Sequence, residues 1–232
     1  MVRRACSYIL AVIILIFFPF SVFAEKQNNL SDQYYFKRNN ENKIALTFDD
    51  GPHPRYTEKI LSILKKYDIK ATFFIIGVNA ENYPEPLKSI ADYGHEIGNH
   101  TFTHQYVKGK SPKEILNDIE SCENAIFKAC GIQTVLFRPP GGLMDEIPIG
   151  ATNIYDGYNI IYWSIDTMDW AHRSPDEIAS YVIKNVKSGD IILMHDYIGR
   201  NSPTPEALEI MLPILIEKGF EFVTVSELIN SK

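Results

Sequence analysis

Cysteine is scarce in this chain, three residues in 232, and one of them, Cys6, falls within the first 24 residues, which are set apart from the rest below. At most one disulfide is left, between Cys122 and Cys130. If the segment joining them is helical, its eight residues span about 12 Å, too far for a bridge. Gly131 could end such a helix early and relax that separation; two free buried thiols are the expectation. Basic clusters are also missing. The formal charge is −6 and no Lys/Arg stretch offers an electrostatic footprint, which argues against nucleic acid or an anionic membrane as the main partner. Internal repeats and interior linkers are absent as well, so one domain is expected from a chain of this length. No stable protein partner is expected. The remaining composition, 45% hydrophobic and 22% charged, is that of an ordinary globular protein.

The N-terminus departs from that average. Arg3 and Arg4 precede YILAVIILIFFPFSVF, an apolar run of sixteen residues, and Val22 and Ala24 supply small residues before Glu25. A basic start, an apolar middle and a small-residue exit form the pattern of a secretory signal. The run is near the short limit for spanning a bilayer. Residues 1–24 are therefore expected to be a cleaved signal, and the protein secreted or associated with the cell envelope; an uncleaved anchor is the alternative. Losing Arg3 and Arg4 takes the formal charge from −6 to −8. Residues 25–42, polar and rich in Asn, read as a mobile leader, and residues 43–232 as the folded domain.

Within that domain short apolar runs alternate with amphipathic ones. Strands are expected at KIALTF, ATFFII, HEIGN, TVLF, NIIYWSI, DIILMH and EFVTVS. Most are β-branched or aromatic and apolar throughout, as in a parallel sheet buried on both faces. Helices are expected from Tyr56, from Glu85, from Ser111, from Ser174 to Gly189 and from Thr204, the last with an interior Pro213. A weaker helical pattern covers residues 145–158. Ser111, Pro112 and Glu114 form the N-cap, first-turn proline and capping box of one helix, and the starts at Ser174 and Thr204 read the same way. Seven strands with intervening helices indicate an α/β fold. Periodicity leaves a closed or incomplete barrel and an open doubly wound sheet as alternatives, and both put ligands at the C-terminal ends of the strands.

Those ends carry the chain's ionisable groups. The first strand runs into Asp49-Asp50, the third into His100 and His104, the fourth into Arg138, the fifth into Asp166, Asp169 and Trp170, and the sixth into His195-Asp196. Two histidines four apart can meet on a helical turn and bind a metal; a surface histidine pair is the alternative. With one carboxylate of the Asp pair they complete a site with positions open to water. Two adjacent carboxylates repel and are costly to bury. A metal on one of them relieves the repulsion and leaves its twin free for proton transfer.

Five blocks in order, TFDDGP, HTFTH, RPPGG, DTMDW and LMHD, resemble the polysaccharide deacetylases, the NodB-homology domain of carbohydrate esterase family 4. The resemblance extends from about Lys43 to the C-terminus. It implies a distorted (β/α) barrel with about seven parallel strands. It implies that Asp50, His100 and His104 hold one divalent metal ion, usually zinc, with cobalt or another divalent ion as alternatives. Asp49 is then the general base, oriented by Arg138, and His195 the general acid, held by Asp169. Leu193 and Trp170 line the pocket for the acetyl methyl and the sugar, and the Gly141 N–H is the oxyanion donor. Family members often carry an aromatic residue where Gly141 stands, so a wall of the pocket is expected to be missing. Asp166 is the alternative partner for His195. His53 reads as a loop histidine, His95 as structural and His172 as solvent-exposed. Asp196 reads as support for the site or as a loop anchor.

The implied function is metal-dependent removal of N-acetyl groups from an extracellular N-acetylglucosamine-type polysaccharide. Export without an appended binding module favours cell-wall peptidoglycan over chitin oligomers or acetylated xylan. Two rival readings are a two-carboxylate glycoside hydrolase, which would leave both histidines idle, and a non-enzymatic carbohydrate-binding domain on the same fold.

Overall fold

In the computed structural model, which describes residues 33–34, 36–37, 41–106, 108–142, 157–198 and 201–231, the apolar runs become strands of one parallel sheet. The chain runs through β1 (Gln33–Tyr34), β2 (Lys43–Gly51), α1 (Tyr56–Lys66), β3 (Thr72–Ile75), α2 (Gly77–Asn82), α3 (Pro84–Asp92), β4 (Glu96–Asn99), α4 (Pro112–Cys130) and β5 (Leu136–Phe137). It continues through β6 (Asn159–Ile161), β7 (Ile165–Asp166), α5 (Pro175–Asn185), β8 (Ile191–His195), α6 (Thr204–Glu217), β9 (Glu221–Phe222) and α7 (Val225–Ile229). The order across the sheet is β1-β6-β5-β4-β3-β2-β8-β7, and β9 pairs with the start of β2. The sheet curls into a half-barrel with helices around it, as expected. Neither the expected export signal nor most of the expected 145–158 helix falls among the described residues.

Both faces of the strands are buried, and the two faces have separate jobs. Ile44, Leu46 and Phe48 of β2 alternate with Ala45, Thr47 and Asp49, and all six are buried. The first set joins Phe73, Ile75, Ile97, Ile192 and Met194 in the layer that packs against α1, α3, α5 and α6. Each such side chain, fully removed from water, contributes roughly 1.5–3 kcal/mol. The second set lines the barrel interior. There Ala45, Phe74, Leu136, Ile161 and Ile191 pack on Val225, Leu228 and Ile229 of α7, which plugs one end. A Cβ on Gly98 would sit 2.5 Å from a Phe74 ring atom, so glycine makes room for that ring.

The helix starts at Ser111 and Ser174 are capping boxes with proline in the first turn. Thr204 does not repeat them. It lies inside α6, preceded by Pro203, and makes no cap hydrogen bond; its hydroxyl is used elsewhere, as described below. α5 ends at Asn185 rather than Gly189, because Val186 turns to extended backbone. EFVTVS is only briefly a strand: Thr224 and Glu227 form a third capping box that starts α7. NIIYWSI, expected as one strand, divides into β6 beside β5 and β7 beside β8. The backbone leaves the first partner after Ile161, and the Tyr162 carbonyl is taken by the Arg138 side chain instead. β1 lies in the stretch expected to be a leader and pairs with β6. Cys122 and Cys130 are both in α4 and both free, the first buried and the second half-buried.

Candidate functional site

Adjacent residues of a regular strand point to opposite faces, so Asp49 and Asp50 should not share a cleft. They do, because β2 carries a bulge there: its register against β3 shifts between Asp49 and Gly51. Asp50 takes φ 74°, the left-handed region in which Asp is among the few tolerated residues. Both carboxylates thereby face a cleft of about 370 Å³. Gly51 follows without a side chain, since a Cβ there would collide with the Asp196 carboxylate.

Arg138 explains how the inner carboxylate is held. It is fully buried. Its Nη1 donates to Asp49 Oδ1 at 2.7 Å and to Thr47 Oγ1 at 2.8 Å. Nε and Nη2 donate to the carbonyls of Ile161 and Tyr162, and the guanidinium lies 4.1 Å from the Phe74 ring centroid. One side chain thus satisfies its fork, ties the end of β6 to β2 and pairs the buried charge of Asp49. Asp49 Oδ2 is left facing the histidines, 3.7 Å from His100 Nε2.

The two histidines do not sit on a helical turn, as the spacing suggested. Thr101 and His104 both adopt positive φ, 66° and 54°. The compact loop is pinned by Thr101 N–H donating to Asn99 Oδ1 and His104 N–H donating to Thr101 Oγ1. The rings still meet, with centroids 5.0 Å apart. His100 Nε2 is 3.4 Å and His104 Nε2 3.1 Å from Asp50 Oδ1. One ligand atom from each of Asp50, His100 and His104 lies within 4.8 Å of the others.

That donor set fits a divalent ion. His100 Nδ1 is 2.7 Å from the Arg138 carbonyl; a carbonyl only accepts, so Nδ1 carries the proton and the Nε2 lone pair is presented to the site. Asp50 Oδ1 is buried with no hydrogen-bond partner, a cost that coordination would remove. Without an ion the charges compensate one another. Burial opposes the charge on Asp50, yet His100 and His104 hold its carboxyl below the usual range. Burial likewise opposes charge on His100, but Asp49 and Asp50 outweigh it and raise that pKa. His104 is lowered, burial being the larger influence.

Across the cleft, β8 places His195 as the register partner of Asp49. Asp169, fully buried in a 3-10 turn, accepts from His195 Nδ1 at 2.7 Å through Oδ1 and from the His195 backbone N–H at 2.7 Å through Oδ2. Thr204 Oγ1 donates to the same Oδ2 at 2.8 Å. Burial would lower the pKa of His195, but Asp169 prevails and raises it to about 9. Asp166 Oδ1 instead accepts from Met168 N–H, so Asp169 and not Asp166 is the partner.

Leu193, half-exposed Trp170 and Gly141 also line the cleft. The wall expected to be missing beside Gly141 is present: Trp163 lines the cleft and its indole packs against Gly142, where a Cβ would come within 2.9 Å. Trp163, Tyr106 and Thr204 line or support the site and lie outside the charged motifs, while Thr47, which opens the TFDDGP block, supports it by accepting from Arg138 Nη1. His95 is structural: burial lowers its pKa to about 4 and its Nδ1 accepts from Ala71 N–H. His172 is exposed. Asp196 is an anchor, accepting from Thr57 Oγ1 and donating its N–H to the Asp49 carbonyl, with burial pushing its carboxyl up to about 7.

Known proteins resemble this chain in sequence and in overall fold. The family model described as polysaccharide deacetylase matches residues 36–155. A peptidoglycan-N-acetylglucosamine deacetylase of Bacillus cereus is 43% identical over 196 residues, covering 84% of this chain and 91% of that protein. The crystal structure of a peptidoglycan N-acetylglucosamine deacetylase in complex with 4-naphthalen-1-yl-N-oxidanyl-benzamide superposes with a TM-score of 0.80 at 35% identity, covering 86% of this chain and 94% of that one. An acetyl xylan esterase from Clostridium thermocellum, solved with a cobalt ion, gives a TM-score of 0.74 at 34% identity, covering 80% and 89%.

Proposed function

Because the chain belongs to the polysaccharide deacetylase family, we propose that it hydrolyses N-acetyl groups of an extracellular N-acetylglucosamine-type glycan, with cell-wall peptidoglycan as the polymer. The observation that carries this reading is one cleft holding three kinds of group: a metal-competent Asp-His-His set, an ion-paired buried carboxylate and an imidazole backed by a second carboxylate. The acetyl xylan esterase likeness keeps acetylated xylan as the alternative substrate. A two-carboxylate glycosidase is disfavoured, because both histidines lie against the acid pair instead of standing apart. A bare carbohydrate-binding domain has no use for the full set.

Asp50, His100 and His104 would hold the ion, with zinc as the first choice. Bound there, it would polarise the acetyl carbonyl and acidify a water. Asp49 takes the water proton on Oδ2, since Oδ1 is engaged by Arg138. His195 gives its Nε2 proton to the departing amine, which leaves poorly as an anion. Asp169 fixes the imidazole with Nε2 turned away from it. The Gly141 N–H stabilises the oxyanion, while Leu193, Trp170 and Trp163 enclose the acetyl methyl and the sugar. Residues 1–24 act as the export signal, and residues 43–232 as the catalytic domain that works outside the cell.

The test is mass spectrometry of purified peptidoglycan and of chitin oligomers after incubation with zinc-loaded mature protein. Loss of acetyl mass from the glycan is expected; unchanged spectra for every glycan, acetylated xylan included, would end this reading.

A pH dependence follows from His195. It must start protonated, and its pKa is raised to about 9, so the active form persists through neutrality and is lost as pH rises through that value. The basic limb of kcat/KM is expected near pH 9. Asp169→Asn removes the charge that raises the pKa, and the limb should move toward the ordinary histidine value of about 6.5. A limb that stays in place would take Asp169 out of this role.

A further inference from the structure

A group of aromatic rings stands just past the C-terminal ends of β2 and β8, the strands that carry the site, without lining the cleft itself. His53 follows the metal-site residue Asp50 by three positions, and Tyr197 follows His195 by two. Their rings stack in parallel, 4.3 Å apart and 6° from coplanar. Tyr83, between α2 and α3, comes within 6.3 Å of His53, and buried Tyr56 supports the group at 5.2 Å. α2 is itself tied to the site, since Asn79 Nδ2 donates to the Asp50 carbonyl at 2.8 Å. Tyr83 and Tyr197 each keep 37% of their surface exposed. Single exposed aromatics are commonplace, whereas a contiguous set beside a catalytic cleft marks a binding surface.

The histidine adds orientation. His53 Nδ1 accepts from the amides of Arg55 and Tyr56, which assigns the ring proton to Nε2. Among the described contacts that N–H has no protein acceptor, so it is available to a hydroxyl. Stiff aromatic faces with a polar donor among them suit a pyranose ring, which has an apolar C–H face and an equatorial belt of hydroxyls. Tyrosine also loses little conformational freedom on binding.

We propose that His53, Tyr83 and Tyr197 form a second sugar subsite, which takes another ring of the same glycan strand whose N-acetyl group lies in the cleft. The proposal rests on the deacetylase reading for the identity of the strand. Its consequence is a preference for longer oligomers that does not depend on the chemistry at the metal site.

The experiment compares acetate release from diacetylchitobiose and from the N-acetylated chitopentaose by the zinc-loaded mature protein, by Tyr197→Ala and by Tyr83→Ala. Loss of one stacking face should lower kcat/KM on the pentamer roughly tenfold and leave the dimer nearly unchanged. Tyr83→Ala guards against a disturbance of His195, because it lies on another element. Equal losses on both lengths in both variants, or no loss in either, overturn the subsite. If the unaltered protein releases no acetate from any glycan, the deacetylase reading fails by itself. Calorimetric titration with the pentamer then decides the subsite: affinity lost in both variants supports it, and unchanged affinity removes it.

Discussion

His104→Ala is expected to lose the bound metal ion and the activity together. Its ring supplies one of three ligand atoms, and the remaining Asp50 and His100 cannot by themselves fill a three-residue catalytic site. The side chain is 35% exposed, so its removal leaves the core packing intact. His100→Ala should abolish metal binding and turnover too, but it also strips a hydrogen bond from the buried Arg138 carbonyl. Carbonyl polarisation by a metal contributes several kcal/mol to catalysis. At 1.36 kcal/mol per decade, roughly 4 kcal/mol corresponds to about a thousandfold loss in kcat/KM. Metal content after dialysis, by plasma mass spectrometry, and acetate release are measured on the same sample. Chelation of the unaltered protein should reproduce the loss and added zinc reverse it. A His104→Ala protein that keeps full turnover would remove this ligand assignment.

Arg138→Met should be the most destabilising of the changes considered. The arginine is fully buried and makes four hydrogen bonds, two to the carbonyls of Ile161 and Tyr162 at the end of β6 and two to side chains of β2. Methionine keeps an unbranched apolar stem but loses the guanidinium that lies over Phe74 and leaves Asp49 without its cation. Breaking a buried pair in this way costs about 3–5 kcal/mol. At about 2–4 °C per kcal/mol for a domain of this size, the melting temperature should fall by roughly 6–20 °C. The cause is testable apart from the size. Asp49→Asn removes the orphaned charge, so the double variant should be less destabilised than the two single changes added together. Strict additivity would mean that the ion pair is not what Arg138 contributes. Arg138→Lys is not expected to rescue, because an ammonium lacks the planar fork that reaches two carbonyls and a carboxylate at once.

Much of the site could be read from the chain because its chemistry is local in sequence. Each ionisable group sits at the end of an apolar run, and in a parallel sheet all such ends lie on one side. The capping boxes at Ser111 and Ser174 are likewise short patterns with a direct hydrogen-bond meaning. The one at Thr224 follows the same rule but is masked in the sequence, because VTV before Ser226 has the look of a strand. Thr204 misled for the opposite reason. It has the composition of an N-cap, but its hydroxyl serves Asp169 from a distant element, and nothing within a few residues of Thr204 could signal that. Trp163 is similar: the Gly-Gly pair after Pro140 reads as a missing wall until an indole from the break between β6 and β7 fills it.

Composition and local pattern alone decided the parallel α/β architecture and the inventory of ionisable groups at the strand ends, since residue type and spacing set which stretches can be buried and which must meet water. Tertiary structure alone decided how those groups face one another: a bulge turns Asp50 to the same side as Asp49, a loop with two left-handed residues brings the histidines together without a helix, and Arg138 joins strands that are distant in sequence. Those outcomes depend on ångström-scale contacts between segments up to a hundred residues apart, and such contacts come into being only when the sheet has assembled and curled around them.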